Sequence, residues 1–288
     1  MDGLIVKGIG GFYYVKAAGG EVYQCRARGA FKKDGVTPTV GDAVDFEPLD
    51  EEEGVVNSIK PRKNIFIRPP IANIDCFVVI VAAARPAPNL GVLDKFLVSA
   101  ERADTEVAIC INKVDIGKPE TIREIVDIYS GIYRVQQISC ATGQGIEGLP
   151  GLFKGKRCAL AGPSGAGKST LLNLLHGGLG LETGSVSGKT ERGRHTTRHV
   201  ELFEMGFGGM MFDTPGFTSF EMNDMEAAEL AGCYPEMAAC LGQCRFDDCR
   251  HVKEPGCAVL EAVAGKRIAA SRYASYLRQL EEISGARR

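Results

Sequence analysis

The stretch Gly162-Pro163-Ser164-Gly165-Ala166-Gly167-Lys168-Ser169-Thr170 fits Gly-x4-Gly-Lys-Ser without exception. It follows an apolar run, "KRCALAG", and opens a helical pattern, the context in which such a loop cradles phosphates. The glycines let backbone N–H groups turn inward onto an anion, and the helix N-terminus adds a favourable dipole. Lys168 is then placed for the β- and γ-phosphates and Ser169 for Mg²⁺. A second element, "DTPG" at 213–216, ends the apolar run "GGMMF". Asp213 there would hold Mg²⁺ through water, and the Gly216 N–H would sense the γ-phosphate.

A third element lies upstream of both. Asn112-Lys113-Val114-Asp115 matches Asn-Lys-x-Asp, whose carboxylate accepts two hydrogen bonds from guanine N1–H and its exocyclic amine. Adenine lacks that donor pair and would leave Asp115 unpaired at a cost. Lys113 would lie along the purine plane and Asn112 would brace neighbouring loops. "ISCATGQG" at 138–145 resembles the Ser-Ala-Lys loop that supports the base, although Cys140 and Ala141 replace Ala and Lys, so that only Ser139 and the backbone carry over. The order is therefore base readers, phosphate loop, switch region, Asp-x-x-Gly: all the parts of a GTPase, rotated. The residues 154–156 are short enough to join the old termini, and neighbouring termini make such recutting tolerable.

Five of the ten cysteines fall between 233 and 257. Cys244, Cys249, His251 and Cys257 form a Cys3His set suited to structural zinc, with unliganded surface thiols as the alternative. Cys233, Cys240 and the scattered Cys25, Cys76, Cys110, Cys140 and Cys158 read as buried thiols.

The elements that must position these groups fall into three regions. Residues 1–66 carry short strands, "GFYYVK", "EVYQCRAR", "DAVDFEPL" and "GVVNSIK", split by glycine-rich turns, and indicate a five-stranded OB-type barrel. Residues 67–222 alternate strand and helix, the pattern of a doubly wound P-loop sheet. Residues 223–288 hold short helical pieces, the cysteine cluster and a final helix near 262–284 carrying Ile268, Leu277, Leu280 and Ile283. The fold class expected is thus multidomain α/β: barrel, circularly permuted GTPase domain, and a helical zinc-binding domain.

Composition adds little direction. Hydrophobic residues make up 44% and charged residues 24%, and the net charge of −2 exerts no global pull toward nucleic acid. Local cation runs exist at 26–33, 187–198 and from 266 onward; one alone is more often solvated surface than a binding patch, and the first and last are the candidates for RNA contact. The longest apolar run, 76–84, is far short of the ~20 residues of a membrane helix. A cytoplasmic protein acting away from membranes and DNA, monomeric by default, is expected.

These residues resemble a known family, the circularly permuted ribosome-assembly GTPases called RsgA (YjeQ or YloQ). The resemblance runs through "RGAFKK", "VGDAV", "NKVD", "GPSGAGKS", "RGRHTTR", "DTPGF" and "GQCRFDDCRH". It implies a GTPase acting late in small-ribosomal-subunit maturation, stimulated by that subunit and contacting ribosomal RNA, with one zinc on the four Cys/His positions. The contrasting reading is a GTP-dependent RNA-binding module whose hydrolysis is incidental. Ras-like GTPases place a water-orienting glutamine after Asp-x-x-Gly, where this chain has Phe217. "GRHTTR" is the expected source of a replacement. Thr197, with Thr196 as its alternative, is expected to ligate Mg²⁺. His195 is expected to orient or deprotonate water, the alternatives being a solvated loop residue or an RNA contact.

Overall fold

The computed structural model describes residues 1–29, 31, 35–67, 69–177, 200–213 and 225–285. These divide into two compact units. The first comprises the described residues within Met1–Phe77, Ile146–Ala161 and Lys168–Phe217, the second those within Val78–Gly145, Gly162–Gly167 and Thr218–Arg288.

The first unit begins with five strands, β1 (Asp2–Ile9), β2 (Phe12–Ala17), β3 (Val22–Ala27), β4 (Ala43–Pro48) and β5 (Glu53–Ile59). They run in the order β1-β2-β3-β5-β4, and β4 pairs back to β1 with Gly3 opposite Val44, so the sheet closes on itself. Only the β3–β5 pair is parallel. This is the five-stranded barrel expected of the region, and closure leaves it without a free edge. Its interior is Ile5, Val15, Cys25, Val44, Phe46 and Val56, all fully buried, on the inward positions of alternating strands. The strand runs named from sequence omitted β1, whose apolar alternation is interrupted by Gly3 and Gly8. A register shift between Ile5 and Lys7 lets β1 change partner. Beyond that shift Lys7 faces Glu201 of β12 (Glu201–Glu204).

A hairpin of β6 (Ile65–Ile67) and β7 (Pro70–Ala72) leads out of the barrel, and Val40 forms a parallel bridge to Ile71. In the same unit β11 (Arg157–Ala161) runs parallel to β13 (Met210–Asp213), with β12 antiparallel on its far side. Gly41 sits at φ +95°, and a Cβ there would meet the Ala72 carbonyl and the Phe212 ring of β13. The helix that follows the phosphate loop is Lys168–His176.

In the second unit β10 (Arg134–Gln137), β9 (Glu106–Asn112) and β8 (Cys76–Ala82) lie side by side, β10 and β9 parallel. Every residue of β8 is buried, as befits an apolar run in a parallel sheet covered on both faces. Helices Leu90–Arg102 and Pro119–Tyr129 connect these strands. Asn89 caps the first, accepting from the Val92 N–H at 3.1 Å.

The C-terminal part packs in this unit around Leu230, Tyr234, Met237, Val259, Ile268, Tyr276 and Ile283, with Val98 of helix Leu90–Arg102 in the same cluster. The single final helix expected near 262–284 is two helices, Ala258–Ala264 and Ala270–Gly285. The chain leaves the first at Gly265 and Lys266 takes φ +59°, a left-handed stop, so Ile268 enters the core from a turn. Among the described residues no helix is long and apolar enough to cross a membrane.

Candidate functional site

Asn112 closes β9 and is buried. Its Oδ1 accepts from the backbone N–H of Lys113 at 2.8 Å and of Cys140 at 3.1 Å, and its Nδ2 donates to the Ala166 carbonyl at 2.8 Å. One side chain therefore joins "NKVD", the "SCATG" loop and the phosphate loop, although 54 residues separate Asn112 from Ala166. The approach is so close that a Cβ at Gly167 would collide with the Asn112 amide, and one at Gly162 with the Ile80 carbonyl. Gly162 and Gly167 hold φ of +138° and +106°, which keeps side chains out of the loop.

Lys113 takes φ +64°, and its Nζ donates to the Arg85 carbonyl at 2.6 Å. The Val114 N–H reaches the Ile138 carbonyl at 3.3 Å, and Asp115 projects exposed beyond them. Ser139 is fully buried; its N–H donates to the Gln144 carbonyl at 2.9 Å, and its hydroxyl accepts from the Thr142 N–H at 3.2 Å. Burial pushes the Cys140 thiol up to about 11, so it stays protonated. In the phosphate loop the Ala166 N–H donates to the Pro163 carbonyl at 3.2 Å, and Ser164 is exposed.

Lys168 opens its helix, followed by exposed Ser169 and half-buried Thr170. Burial lowers the Lys168 ammonium to about 8, a cost that a phosphate anion would offset. Asp213 ends β13 half-buried, its carboxyl raised first by burial and then by neighbouring Glu201. Such a group gains from a cation. His195, Thr196, Thr197, Gly216 and Phe217 lie outside the described residues.

In the C-terminal part the ligand atoms of Cys244, Cys249, His251 and Cys257 all lie within 4.8 Å of one another. His251 Nδ1 is 3.4 Å from the Cys257 sulfur and 3.6 Å from that of Cys244, and these two sulfurs are 4.0 Å apart. A metal about 2.3 Å from sulfur and 2.0 Å from nitrogen spaces tetrahedral ligands roughly 3.5–3.8 Å apart, so the cluster fits a closed four-ligand centre. The shell around it was not apparent from sequence. Glu254 accepts from the N–H groups of Arg250, Val252 and Lys253 at 2.7–3.0 Å. The Tyr273 and Tyr276 hydroxyls donate to the carbonyls of His251 and Arg250, each at 2.7 Å. Cys233 and Cys240 are buried in the adjoining core.

A barrel followed by a phosphate-loop domain whose base-reading strand precedes its phosphate loop defines a circularly permuted GTPase. The RsgA GTPase family model matches residues 59–223 and the RsgA N-terminal domain model residues 2–56. The chain is 45% identical over 284 residues to a small ribosomal subunit biogenesis GTPase RsgA of Caldanaerobacter subterraneus subsp. tengcongensis, covering 98% of this chain and 96% of that protein. It is 43% identical to the one from Agathobacter rectalis, with 98% of each covered. Among solved structures, YjeQ from Thermotoga maritima superposes with a TM-score of 0.87 at 37% identity, over 99% of this chain and 98% of that one. YloQ, described as a circularly permuted GTPase, does so at 0.82 and 36%, over 99% and 95%. The chain belongs to the RsgA GTPase family and is a GTP hydrolase.

Proposed function

We propose that this protein binds the small ribosomal subunit and couples GTP hydrolysis to that subunit's late maturation and to its own release. The observation that carries the reading is the Asn112 bond to the Ala166 carbonyl. That contact between the guanine-type motif and the phosphate loop supports a shared site despite their rotated order. Relatives along the full chain carry the name small ribosomal subunit biogenesis GTPase, which supports the partner.

In this reading Asp115 reads guanine, Lys113 lies along its face, and Val114 and Ser139 hold the loop backbone. The backbone N–H groups of the loop from Gly162 to Gly167, which Pro163 lacks, and the Lys168 ammonium take up charge on the β- and γ-phosphates, with Pro163 shaping the turn and Thr170 at the same helix start. Bound Mg²⁺ would neutralise developing phosphate charge, held by Ser169, Asp213 and Thr197. Gly216 senses the γ-phosphate. His195 orients the water whose oxygen attacks γ-phosphorus as the bridging oxygen leaves with GDP. The functional division is 1–66 for RNA contact, 67–222 for GTP, and 223–288 around one structural zinc, a metal favoured by three thiolates and an imidazole with no open position. The protein works as a cytoplasmic monomer, away from membranes and DNA.

The test is GTP turnover titrated with purified small subunits. Stimulation is expected, with His195→Ala retaining nucleotide affinity while losing ~10²-fold in stimulated turnover. A chain that binds subunits and GTP without any stimulation would instead be an RNA-binding module with incidental hydrolysis.

A further inference from the structure

Arg272, on helix Ala270–Gly285, is fully buried, as is its partner Asp94 on helix Leu90–Arg102. Its Nη1 donates to Asp94 Oδ1 at 2.7 Å, while Nε and Nη2 donate to the two oxygens of Glu236 at 2.7 and 3.1 Å. The Tyr129 hydroxyl donates to the same Asp94 oxygen at 2.7 Å. The guanidinium also lies 4.4 Å from the Tyr234 ring centre, 5.5 Å from that of Tyr129 and 5.9 Å from that of Tyr133. At the rim Lys95 pairs with Glu282 at 2.6 Å and Arg102 with Glu229 at 3.5 Å. Asp94 Oδ2 is buried with no hydrogen-bond partner among the described residues.

A buried ion network is a poor way to add stability, because desolvation consumes most of the Coulombic gain, and well-packed apolar residues serve as well. What a planar fork of donors supplies is direction: the guanidinium donates to Asp94 and Glu236 at fixed angles. The same helix holds the metal loop through Tyr273 and Tyr276. One helix thus carries the metal centre and a directional lock onto the half of the molecule that contains "NKVD".

We infer that Arg272, Asp94 and Glu236 are positioning residues for subunit-stimulated GTP hydrolysis. They hold the metal-bearing module in the orientation through which a bound small subunit acts on the nucleotide site. This rests on the functional reading above.

The test compares wild type with two variants for metal content, melting temperature, GDP affinity, and turnover with and without subunits. In the combined Asp94→Leu, Glu236→Leu, Arg272→Met variant the lock is replaced by apolar packing. It should keep its metal, wild-type melting temperature, and intrinsic turnover within twofold, while stimulated turnover falls at least about tenfold at unchanged KM for GTP. Arg272→Lys keeps the charge but loses the fork, and should lose stimulation to a similar degree even if the combined variant fails to fold. Full stimulation in a folded combined variant, or in Arg272→Lys, would overturn the inference and reduce the network to packing. A wild-type protein that subunits do not stimulate would overturn the functional reading itself, and the inference with it.

Discussion

The barrel and the Cys3His module are both fastened to other parts of their units, but by different chemistry. In the barrel's unit much of the fastening falls on main-chain carbonyls. The Ala72 N–H donates to the Val40 carbonyl at 2.9 Å, Asn73 Nδ2 to the Gly41 carbonyl at 2.9 Å, and the Asp75 N–H to the Arg157 carbonyl at 2.9 Å. A fully buried carboxylate there, Asp42, is held by Arg62 at 2.7 Å and by the Thr39 N–H at 2.8 Å. In the module's unit a side-chain network centred on Arg272 is a chief element of the fastening, and one of its carboxylate oxygens has no partner among the described residues. A main-chain weld tolerates side-chain exchange wherever the backbones still meet. A side-chain lock can be exchanged only as a set, and removing one member strands the others in low dielectric.

The sharpest way to break the comparison is Gly41→Val. The residue stands at φ +95° with the Ala72 carbonyl where a Cβ would go, so a loss of more than about 4 kcal/mol is expected, read by thermal unfolding. No substitution elsewhere should recover it. Asp94→Ala leaves a buried guanidinium short of a counter-charge and should cost ~3–5 kcal/mol in urea denaturation. The full apolar replacement should return most of that, which is the difference between the two fastenings. Stripping the metal by chelation, or Cys249→Ser, should act more locally, because most of the core around Tyr234, Met237 and Val259 is built from residues other than the four ligands. Amide exchange over 244–257 should quicken by an amount equivalent to about 2 kcal/mol, with GDP affinity changed less than ~2-fold.

The smallest effect is a yardstick that neither fastening should move. Burial lowers Lys168 to about 8 in the free protein, and bound phosphates favour its charged form and raise it again. GDP affinity should therefore be flat below pH 8 and weaken above it, by up to ~1.4 kcal/mol per pH unit. Calorimetry across pH 6.5–9.5, a range of roughly 3 units around that value, would display it. A profile displaced by the Asp94 variants would mean that the lock reaches the phosphate loop.

The parts that proved legible in sequence were those whose chemistry is contiguous. The phosphate loop, "NKVD" and the Cys3His cluster each sit within one short run, and four barrel strands announced themselves by alternation. Strand β1 escaped because glycines break its pattern, and the hairpin Ile65–Ala72 because its strands are too short to show a period. The helix break at Lys266 turns on one left-handed residue of a type that rarely adopts it. The lock around Arg272 was invisible for a different reason. A lone arginine on an amphipathic helix looks like a surface cation, and only the fold reveals Asp94 and Glu236 waiting for it.

The separations within these contacts also set an order of assembly. Met1 and the Phe46 carbonyl, which help close the barrel, are 45 residues apart, whereas Arg272 and Asp94 are 178 apart and Lys95 and Glu282 are 187 apart. A chain made from its N-terminus can close the barrel while most of the sequence is still unwritten. Asp94, met earlier only by the Tyr129 hydroxyl, must wait for its counter-charge until the helix Ala270–Gly285 is made. The orientation of the Cys3His module is therefore set only after the helix Ala270–Gly285 is made, and translation arrested before that helix would yield a closed barrel and a module with no fixed bearing.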